Sequence, residues 1–459
     1  MKGLGRLRAR NLGAALVFLT LTSSALVLTL AAGDSTPNLQ GFADPSGVIR
    51  TYSTSGGIDL SNPFFASLGT NGRSCGSCHQ QSDAWGVSAE HIRARFEASD
   101  GLDPIFRPVD GAVCPSADVS TAEARAEAYS LLLNKGLIRI SIAVPANADF
   151  QITNIFDPYQ CNETTNTQPA MYRRPLPATN LPFLTTVMWD GRESPKGRSL
   201  NANLTQQATD ATTGHAQGTT PTPEQLQEIV AFETALFTAQ SEAEGVGVLT
   251  AGVKGGPVNL SQQEFYVGIN DVLGGDPTGV PFNPVAVTIY DQWLNSPDPY
   301  RASIARGEVL FNTLPITITG VAGLNDLPGL STVNGSCTTC HDTPNVGNHS
   351  LPLAINIGIT DSPALPALDV SGLPVYSIEC SDGTRKQTTD PARALITGKC
   401  ADVGKTKGPI LRGLAARAPY FHNGSAASLN DVVEFYNQRF ALNLTAQQKS
   451  DLVAFLNTL

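Results

Sequence analysis

The stretch CGSCH at residues 75–79 decides the fold, and its pattern returns as CTTCH at residues 337–341. Two cysteines three positions apart can form thioether bonds with the vinyl groups of one haem, and the next histidine can bind its iron. A zinc site would need a second pair of ligands, and a redox dithiol needs no following histidine. Each copy therefore predicts one covalently bound haem c. The predicted haem-binding residues are Cys75, Cys78, His79, Cys337, Cys340 and His341.

The composition is that of a globular chain with many loops. Its 459 residues predict two or three domains, each able to bury a core. Charged residues make up only 15%, and 42 glycines with 31 prolines predict many turns. The formal net charge of -10 disfavours nucleic acid as a partner, because phosphates would be repelled.

The N-terminus has the pattern of an export signal, residues 1–33. Basic residues between Lys2 and Arg10 precede an apolar run from Leu12 to Ala32, and small residues follow. The run is long enough to cross a bilayer, so an uncleaved anchor is the alternative, and only then is a membrane contact expected. Haem c attachment needs an oxidising compartment as well. Both features predict a periplasmic protein.

Four cysteines lie outside the haem motifs. An even number of such residues in an exported protein usually pairs as disulfides. The pairing of near neighbours joins Cys114 to Cys161 and Cys380 to Cys400, one bridge in each half. The sequence alone does not exclude the other pairings of these four cysteines.

Three landmarks recur in the same order in both halves of the chain. They are the CxxCH motif, a ring residue followed by Asp or Asn and Gly (Trp189 and His422), and a Leu/Ile-Val-Ala-Phe helix (229–232 and 452–455). This order predicts an internal duplication. We therefore expect a mainly α protein with two tandem cytochrome c-like haem domains, long loops and an insertion in the first domain.

The same landmarks set the expected domain bounds. The N-terminal haem domain spans residues 34–243 and contains the insertion at about 101–174. Residues 244–300 are rich in glycine and proline and are interpreted as a linker or connecting arm. The C-terminal haem domain spans residues 301–459.

The positions of the methionines limit which residue can be the far-side ligand of the second haem, the ligand opposite His341. The methionines are Met1, Met171 and Met188. None lies in the second domain, so the His/Met pair of an ordinary electron-carrying cytochrome c is not available there. The candidates are Tyr436, on a predicted helix at 428–438, and His422. His349 is interpreted as a loop histidine.

The first haem has a less constrained far side. His91 lies in a predicted helix at 88–98, with Ser88 as its N-cap. A surface position beside Glu90 and Arg93 is preferred for this histidine, and iron binding is the alternative.

Several motifs together resemble the bacterial dihaem cytochrome c peroxidase family, including its branch that matures a tryptophan-derived quinone cofactor. The motifs are the two CxxCH copies, WDGR at 189–192, the run ARGEVLF at 305–311, APYFHNGS at 418–425 and VEFY at 433–436. The resemblance covers roughly residues 60–100, 175–240 and 300–459. It implies an oxidoreductase with two haem c groups that reduces peroxide with electrons from a small donor protein of the cytochrome c or cupredoxin type. A homodimer is a further expectation.

The resemblance also implies roles for single residues. The first haem meets peroxide, the second relays electrons, and Trp189 matches the tryptophan between them. Tyr436 matches the far-side ligand of the quinone-maturing branch, with His422 then beside the haem. A calcium ion between the domains would be held by Asn180 and by the carbonyls of Arg417 and Pro419, an all-oxygen site.

One departure from the family pattern bears on mechanism. The family places a catalytic glutamate in the loop after WDGR, whereas residues 206–218 contain only Asp210 and His215 as titratable groups. Imidazole suits proton transfer near neutral pH, so His215 is the expected acid–base group or a reversible far-side ligand of the first haem. An exposed loop histidine is the alternative. The missing glutamate leaves two other functions open, an electron-transfer dihaem cytochrome and a dihaem oxygenase or maturation enzyme acting on a bulky partner.

Overall fold

The computed structural model describes residues 35–459. The predicted export signal at 1–33 lies outside the described residues. Helices make up 29% and strands 17% of the structure, so the prediction of a mainly α fold is wrong. Within residues 35–459, no helix is both long enough and apolar enough to cross a membrane.

The described residues form ten α-helices and fifteen short strands. The helices are α1 (Ala89–Ser99), α2 (Ala122–Ala128), α3 (Ser130–Lys135), α4 (Leu200–Gly214), α5 (Pro223–Thr234), α6 (Gly256–Ser261), α7 (Pro299–Thr313), α8 (Ala394–Thr397), α9 (Leu429–Arg439) and α10 (Ala446–Leu456). The strands are β1 (Ser35–Pro37), β2 (Gly41–Asp44), β3 (Gly47–Ser53), β4 (Gly57–Asp59), β5 (Ile138–Ser141), β6 (Phe150–Phe156), β7 (Ala170–Arg173), β8 (Leu236–Ala243), β9 (Gly247–Val248), β10 (Ile316–Thr319), β11 (Thr332–Gly335), β12 (Ala354–Ile355), β13 (Val375–Cys380), β14 (Arg385–Thr388) and β15 (Thr406–Lys407).

The strands belong to small antiparallel sheets, which the prediction of a mainly α fold did not include. The largest has the order β2-β3-β8-β9, and a second has the order β14-β13-β6. In both, strands pair across long stretches of sequence, such as β3 with β8 and β6 with β13. Strands this short carry too few positions for a period of two to be visible in the sequence. Their pairing is a tertiary outcome that local patterns do not reveal.

The two halves repeat the same packing around the histidine of each CxxCH motif. In the first half, the Phe64 ring lies 6.2 Å from His79 and 5.0 Å from Phe232 of α5, measured between ring centroids. In the second half, Phe311 of α7 lies 5.8 Å from His341 and 5.5 Å from Phe455 of α10. Since Phe232 and Phe455 end the two matching Val-Ala-Phe motifs, the packing supports the interpretation as a duplication.

The closing helices of the halves begin in the same way. Thr222 caps α5 and Thr445 caps α10, each by accepting from the N–H of a glutamine three residues later. In both helices that glutamine side chain accepts from the N–H of the threonine in return. Such a capping box satisfies N–H groups that would otherwise lack partners at a helix start.

Residues 101–174 and 244–300 pack closely against the rest of the chain. From the first segment, β6 pairs with β13 of the C-terminal half. From the second, Ile289, Tyr290 and Trp293 are buried in the core that also contains Phe455. The Oε2 atom of Glu308 accepts hydrogen bonds from the N–H groups of Ile289 and Tyr290, at 2.7 and 2.9 Å. The segment 244–300 is thereby fixed to α7.

The predicted disulfide pairing is confirmed. Cys114 is bonded to Cys161, with their Cα atoms 5.6 Å apart, and Cys380 to Cys400, with their Cα atoms 5.8 Å apart. The first bridge closes the insertion on itself. The second joins the end of β13 to the turn after α8.

A buried ion-pair cluster joins the halves near the centre of the molecule. Arg173, the last residue of β7, donates two hydrogen bonds to the Asp390 carboxylate, at 2.7 and 2.9 Å, and a third to Asp190. The three side chains are almost fully buried. Because Asp190 follows Trp189 directly, the cluster also fixes the position of that tryptophan.

Candidate functional site

Both CxxCH motifs form the same single 3₁₀ turn. It spans Cys75–Ser77 in the first half and Cys337–Thr339 in the second, and a serine precedes it each time. The carbonyl of the first cysteine accepts from the N–H groups of the second cysteine and of the histidine, at 3.0–3.2 Å. This compact turn brings both thiols and the imidazole of each motif to the wall of one cavity.

Each haem-binding histidine is oriented by a backbone carbonyl. The Nδ1 atom of His79 lies 2.8 Å from the Trp85 oxygen, and that of His341 lies 2.6 Å from the Gly347 oxygen. Donation from Nδ1 leaves Nε2 free to bind a metal ion. Burial lowers the pKa of both residues, that of His341 to about 4, so both imidazoles are neutral, as iron ligands must be.

The residues that line the two cavities suit the charge of a haem. Cations line both walls, which matches the two carboxylates that every haem carries. In the first cavity, Arg73, Arg173 and Arg174 are buried and Arg192 is half-buried. In the second, Arg174 and Lys407 are buried and Arg417 is half-buried. Burial lowers the pKa of Lys407 to about 7, as expected for a cation without a counter-charge.

His215 lines the first cavity from the turn that follows a helix, although the stretch before it was expected to be a loop. Residues 200–214 form α4, and His215 follows its last turn. The His215 Nδ1 atom is paired with the carboxylate of Asp110, which also pairs with Arg73. Burial alone would raise the pKa of Asp110, but the hydrogen bond from His215 and the charge of Arg73 lower it. An ionised Asp110 orients the imidazole and leaves Nε2 free for the cavity.

Two acidic groups of this cavity were not predicted from the sequence. Asp110 comes from the insertion at 101–174, where no motif identified it. Glu233 of α5 lines the cavity with its Oε2 atom unpaired, and burial raises its pKa to about 8. Glu233 directly follows the Val-Ala-Phe motif, and a glutamate on the buried side of a helix was the available signal.

The structure does not bring His91 to the first cavity. This residue of α1 pairs through Nδ1 with Asp83 at the surface, and its side chain is 43% exposed. The preferred interpretation as a surface histidine agrees with this position.

Tyr436 and His422 both line the second cavity with Cys337, Cys340 and His341. Burial raises the pKa of Tyr436 above its ordinary value, and the nearby thiols add to the effect. A phenolate would therefore form only beside a cation such as a ferric ion. The His422 imidazole is buried, with Nε2 3.5 Å from Asp390 Oδ2, at the limit of a hydrogen bond.

His349 occupies a loop, as predicted, but it is buried, with 7% of the residue exposed. It lines the second cavity, and Nδ1 lies 2.8 Å from Asp342 Oδ2. The residues around His349 predicted a loop, but its contact with Asp342, the residue after His341, could not be predicted from them.

Trp189 lies between the cavities and lines both of them. Its ring centroid is 6.1 Å from that of His422, edge to face. The indole Nε1 donates to the Arg174 carbonyl at 2.8 Å, and the Arg174 N–H donates to the His422 carbonyl at 2.7 Å. A continuous hydrogen-bonded path therefore joins the two ring residues through one backbone residue.

The residues matched to a calcium site do not fit that ion. The amide of Asn180 exchanges both of its hydrogen bonds with the backbone of Thr238, at 2.9 and 3.0 Å. The Arg417 carbonyl accepts from the guanidinium of Arg174 at 2.7 Å, and the same guanidinium binds the carbonyls of Val87 and Lys135. Because Arg174 already supplies a positive charge to these oxygens, a divalent cation there would be repelled.

Comparison with known proteins gives short matches to peroxidases. No family model matches the chain. A solved MauG-like protein associated with microbial copper homeostasis aligns with 87% of this chain and 86% of its own, at 16% identity and a TM-score of 0.37. Cytochrome-c peroxidase IdrP2 of Denitromonas iodatirespirans is 33% identical over 138 residues, which are 28% of this chain and 37% of that protein.

Cytochrome c551 peroxidase of Nitrosomonas europaea is 32% identical over 143 residues, 29% of this chain and 34% of that protein. The chain thus spans about a third of the length of the curated relatives that it matches. These two sequence matches and the duplicated CxxCH turns confirm the predicted resemblance to cytochrome c peroxidases.

Proposed function

We propose that this protein is a periplasmic dihaem c-type oxidoreductase that reduces hydrogen peroxide with electrons from a small donor protein. The observation that carries the proposal is the position of Trp189, which lines two cavities that each contain two thiols and an oriented histidine. Each haem would supply one-electron chemistry at its iron. The two disulfides agree with an oxidising compartment.

In the first cavity, His215 is the proposed proton carrier. Asp110 holds Nδ1, so Nε2 can take a proton from bound peroxide and return it to the departing oxygen. This would replace the glutamate that the family uses. Glu233 offers a second proton store, since its raised pKa keeps the carboxyl protonated at neutral pH.

In the second cavity, Tyr436 is the proposed far-side ligand, and the donor protein would deliver electrons on this side. The indole of Trp189 and its path through the Arg174 peptide to His422 would then carry electrons toward the first cavity. The chain would bind two haems, one in each of two domains with the bounds expected from the sequence.

Haem content and donor oxidation test the proposal together. The pyridine haemochrome assay should give two haem equivalents per chain, and peroxide should drive oxidation of a reduced small cytochrome or cupredoxin. In the variant Cys75→Ser/Cys78→Ser we expect one haem and no donor oxidation. Two haems without peroxide-dependent turnover would instead identify an electron-transfer cytochrome. Oxygen uptake without peroxide consumption would identify an oxygenase.

Replacing Trp189 with phenylalanine should slow electron transfer between the haems. Phe keeps the ring in the interface but loses the Nε1 hydrogen bond to the Arg174 carbonyl. Both haems should remain, while rapid mixing with peroxide should show slower oxidation of the second haem. Trp293→Phe is the matched control, because Trp293 is buried in the core of the second half and lines neither cavity. Equal rates in both variants would rule out the relay.

Electron paramagnetic resonance of the ferric protein should distinguish Tyr436 from His422. We expect Tyr436→Phe to change the signal of the second haem and His422→Ala to leave its coordination intact. Tyr420→Phe is the control, since its hydroxyl also lies at this cavity but donates to the Leu414 carbonyl at 3.0 Å. The reverse result, with only His422→Ala altering the signal, would assign the ligand to His422.

A further inference from the structure

A cluster of buried ligand-type side chains lies beside the second haem-binding turn. It consists of Asp271, Asp342 and His349, which offer ligand atoms within 4.8 Å of one another. The exposed fractions of these residues are 1%, 0% and 7%. None belongs to a CxxCH motif, and the proposed reaction does not use them.

The cluster contains more negative charge than its surroundings balance. Within residues 35–459, Asp342 forms an ion pair only with His349, and Asp271 forms none. Two carboxylates close together in a buried place must share a proton or bind a cation, because burial of unpaired charge is costly. His349 can balance at most one of the two carboxylate charges, so net negative charge remains in the cluster.

Three ligand-type atoms in the cluster have no hydrogen-bond partner. They are Oδ1 of Asp271 and both ring nitrogens of His349. The Nδ1 atom of His349 lies 2.8 Å from Asp342 Oδ2, but off the direction that a hydrogen bond requires. Backbone N–H groups hold one oxygen of each carboxylate, from Gly275 to Asp271 Oδ2 at 2.6 Å and from Ser350 to Asp342 Oδ1 at 2.7 Å. Asp271 keeps Oδ1 without a partner, whereas Asp342 Oδ2 accepts from the Ser350 hydroxyl at 3.2 Å.

The backbone around the cluster is fixed on both sides. The N–H of Gly268 donates to the Ser350 carbonyl at 2.8 Å, and the Asn270 side chain donates to the Asp342 carbonyl at 3.0 Å. A side chain at residue 275 would collide with Asp271 Oδ2, since a Cβ atom there would lie only 2.8 Å away. Gly275 therefore permits the approach that brings Asp271 to the other two residues.

We propose that Asp271, Asp342 and His349 bind one divalent transition-metal cation, such as Zn²⁺ or Mn²⁺, in addition to the two haem irons. One imidazole and two carboxylates suit these ions better than Ca²⁺, which prefers oxygen alone. Ligand atoms around such an ion lie roughly 3–4 Å apart, so the three residues need to move only slightly. Bound metal would tie the segment 244–300 to the loop that follows His341.

Metal analysis of the haem-loaded full chain tests this site. After treatment with a chelator, the protein is dialysed against Zn²⁺ or Mn²⁺ and analysed by mass spectrometry of its metals. We expect one equivalent of the added metal per chain beside the haem iron. Asp271→Asn should weaken binding by about 10–100-fold or more, with unchanged haem spectra, because Asp271 does not line the second cavity.

Asp276→Asn is the matched control. It lies in the same loop, but its carboxylate accepts from Thr278 and Asn270 and is not part of the cluster, so metal binding should persist. No added metal in the wild type, or binding that Asp271→Asn leaves unchanged, would overturn the proposal. If Asp271→Asn does not fold, the midpoint of thermal unfolding of the wild type tests the site instead. This midpoint should rise with Zn²⁺ but not with Mg²⁺, and the absence of a rise with Zn²⁺ would refute the site.

Discussion

Replacing His215 with alanine is expected to lower peroxide-dependent turnover by about 10²–10⁴-fold, the contribution of a positioned acid–base group. Both haems should be retained, because His215 is not part of a CxxCH motif. The variant Asp110→Asn should lose less, roughly 10–100-fold, since the imidazole remains but its orientation is no longer held by a carboxylate. Steady-state oxidation of a reduced donor protein measures both effects.

His91→Ala is the matched control for this experiment. His91 also pairs through Nδ1 with a buried aspartate, Asp83, but it does not line the first cavity. Its replacement should leave turnover within about twofold of the wild type, as surface changes usually do. If His215→Ala kept full turnover, the proton would have to move through another group, and Glu233→Gln would then be the next variant to measure.

Replacing Arg173 with methionine should destabilise the protein by about 3–5 kcal/mol, because two buried carboxylates would lose their shared partner. The surface ion pair between Arg50 and Glu242 provides the control, and Arg50→Met should cost under about 1 kcal/mol. Guanidinium denaturation of the haem-loaded protein measures both. Equal and small losses would show that Arg173 does not hold the halves together.

The effect of Arg173→Met should also depend on pH. Burial favours the neutral form of Asp190 and Asp390, but the charge of Arg173 outweighs it and lowers the pKa of both below the ordinary 3.8. Their contribution to stability is therefore present above about pH 4 and is lost as the pH falls through the lowered values. At acid pH the two carboxyls of the variant are protonated, and a neutral carboxyl no longer needs a cation beside it. The stability difference between wild type and variant should thus shrink in acid.

Features set by a few neighbouring residues were predictable from the sequence. The turns of the two CxxCH motifs and the N-cap at Ser88 depend on local spacing. The disulfides join cysteines 47 and 20 residues apart, and pairing each cysteine with its nearest neighbour was sufficient to predict them. The order of the repeated landmarks also placed Trp189 and His422 in corresponding positions. Short-range geometry and chemistry are enough to determine these parts of the site.

Features made by contacts across the chain were not predictable. The sheets of β3 with β8 and β6 with β13 join distant strands, which is why the fold has more strand than expected. Asp110 reaches His215 only through tertiary packing. The resemblance to the family implied a loop at 206–218, yet residues 206–214 belong to α4.

The contact between Trp189 and His422 joins two residues that occupy equivalent places in the repeat. In a symmetric homodimer, a residue near the two-fold axis touches its own counterpart. The contact of Trp189 with His422 has this form, although both residues belong to one chain. A true homodimer must place the same side chain on both sides of its axis. A single fused chain is free of that constraint. Its two halves can place different rings in the contact, an indole on one side and an imidazole on the other. The contact is therefore asymmetric, as one between two identical rings could not be.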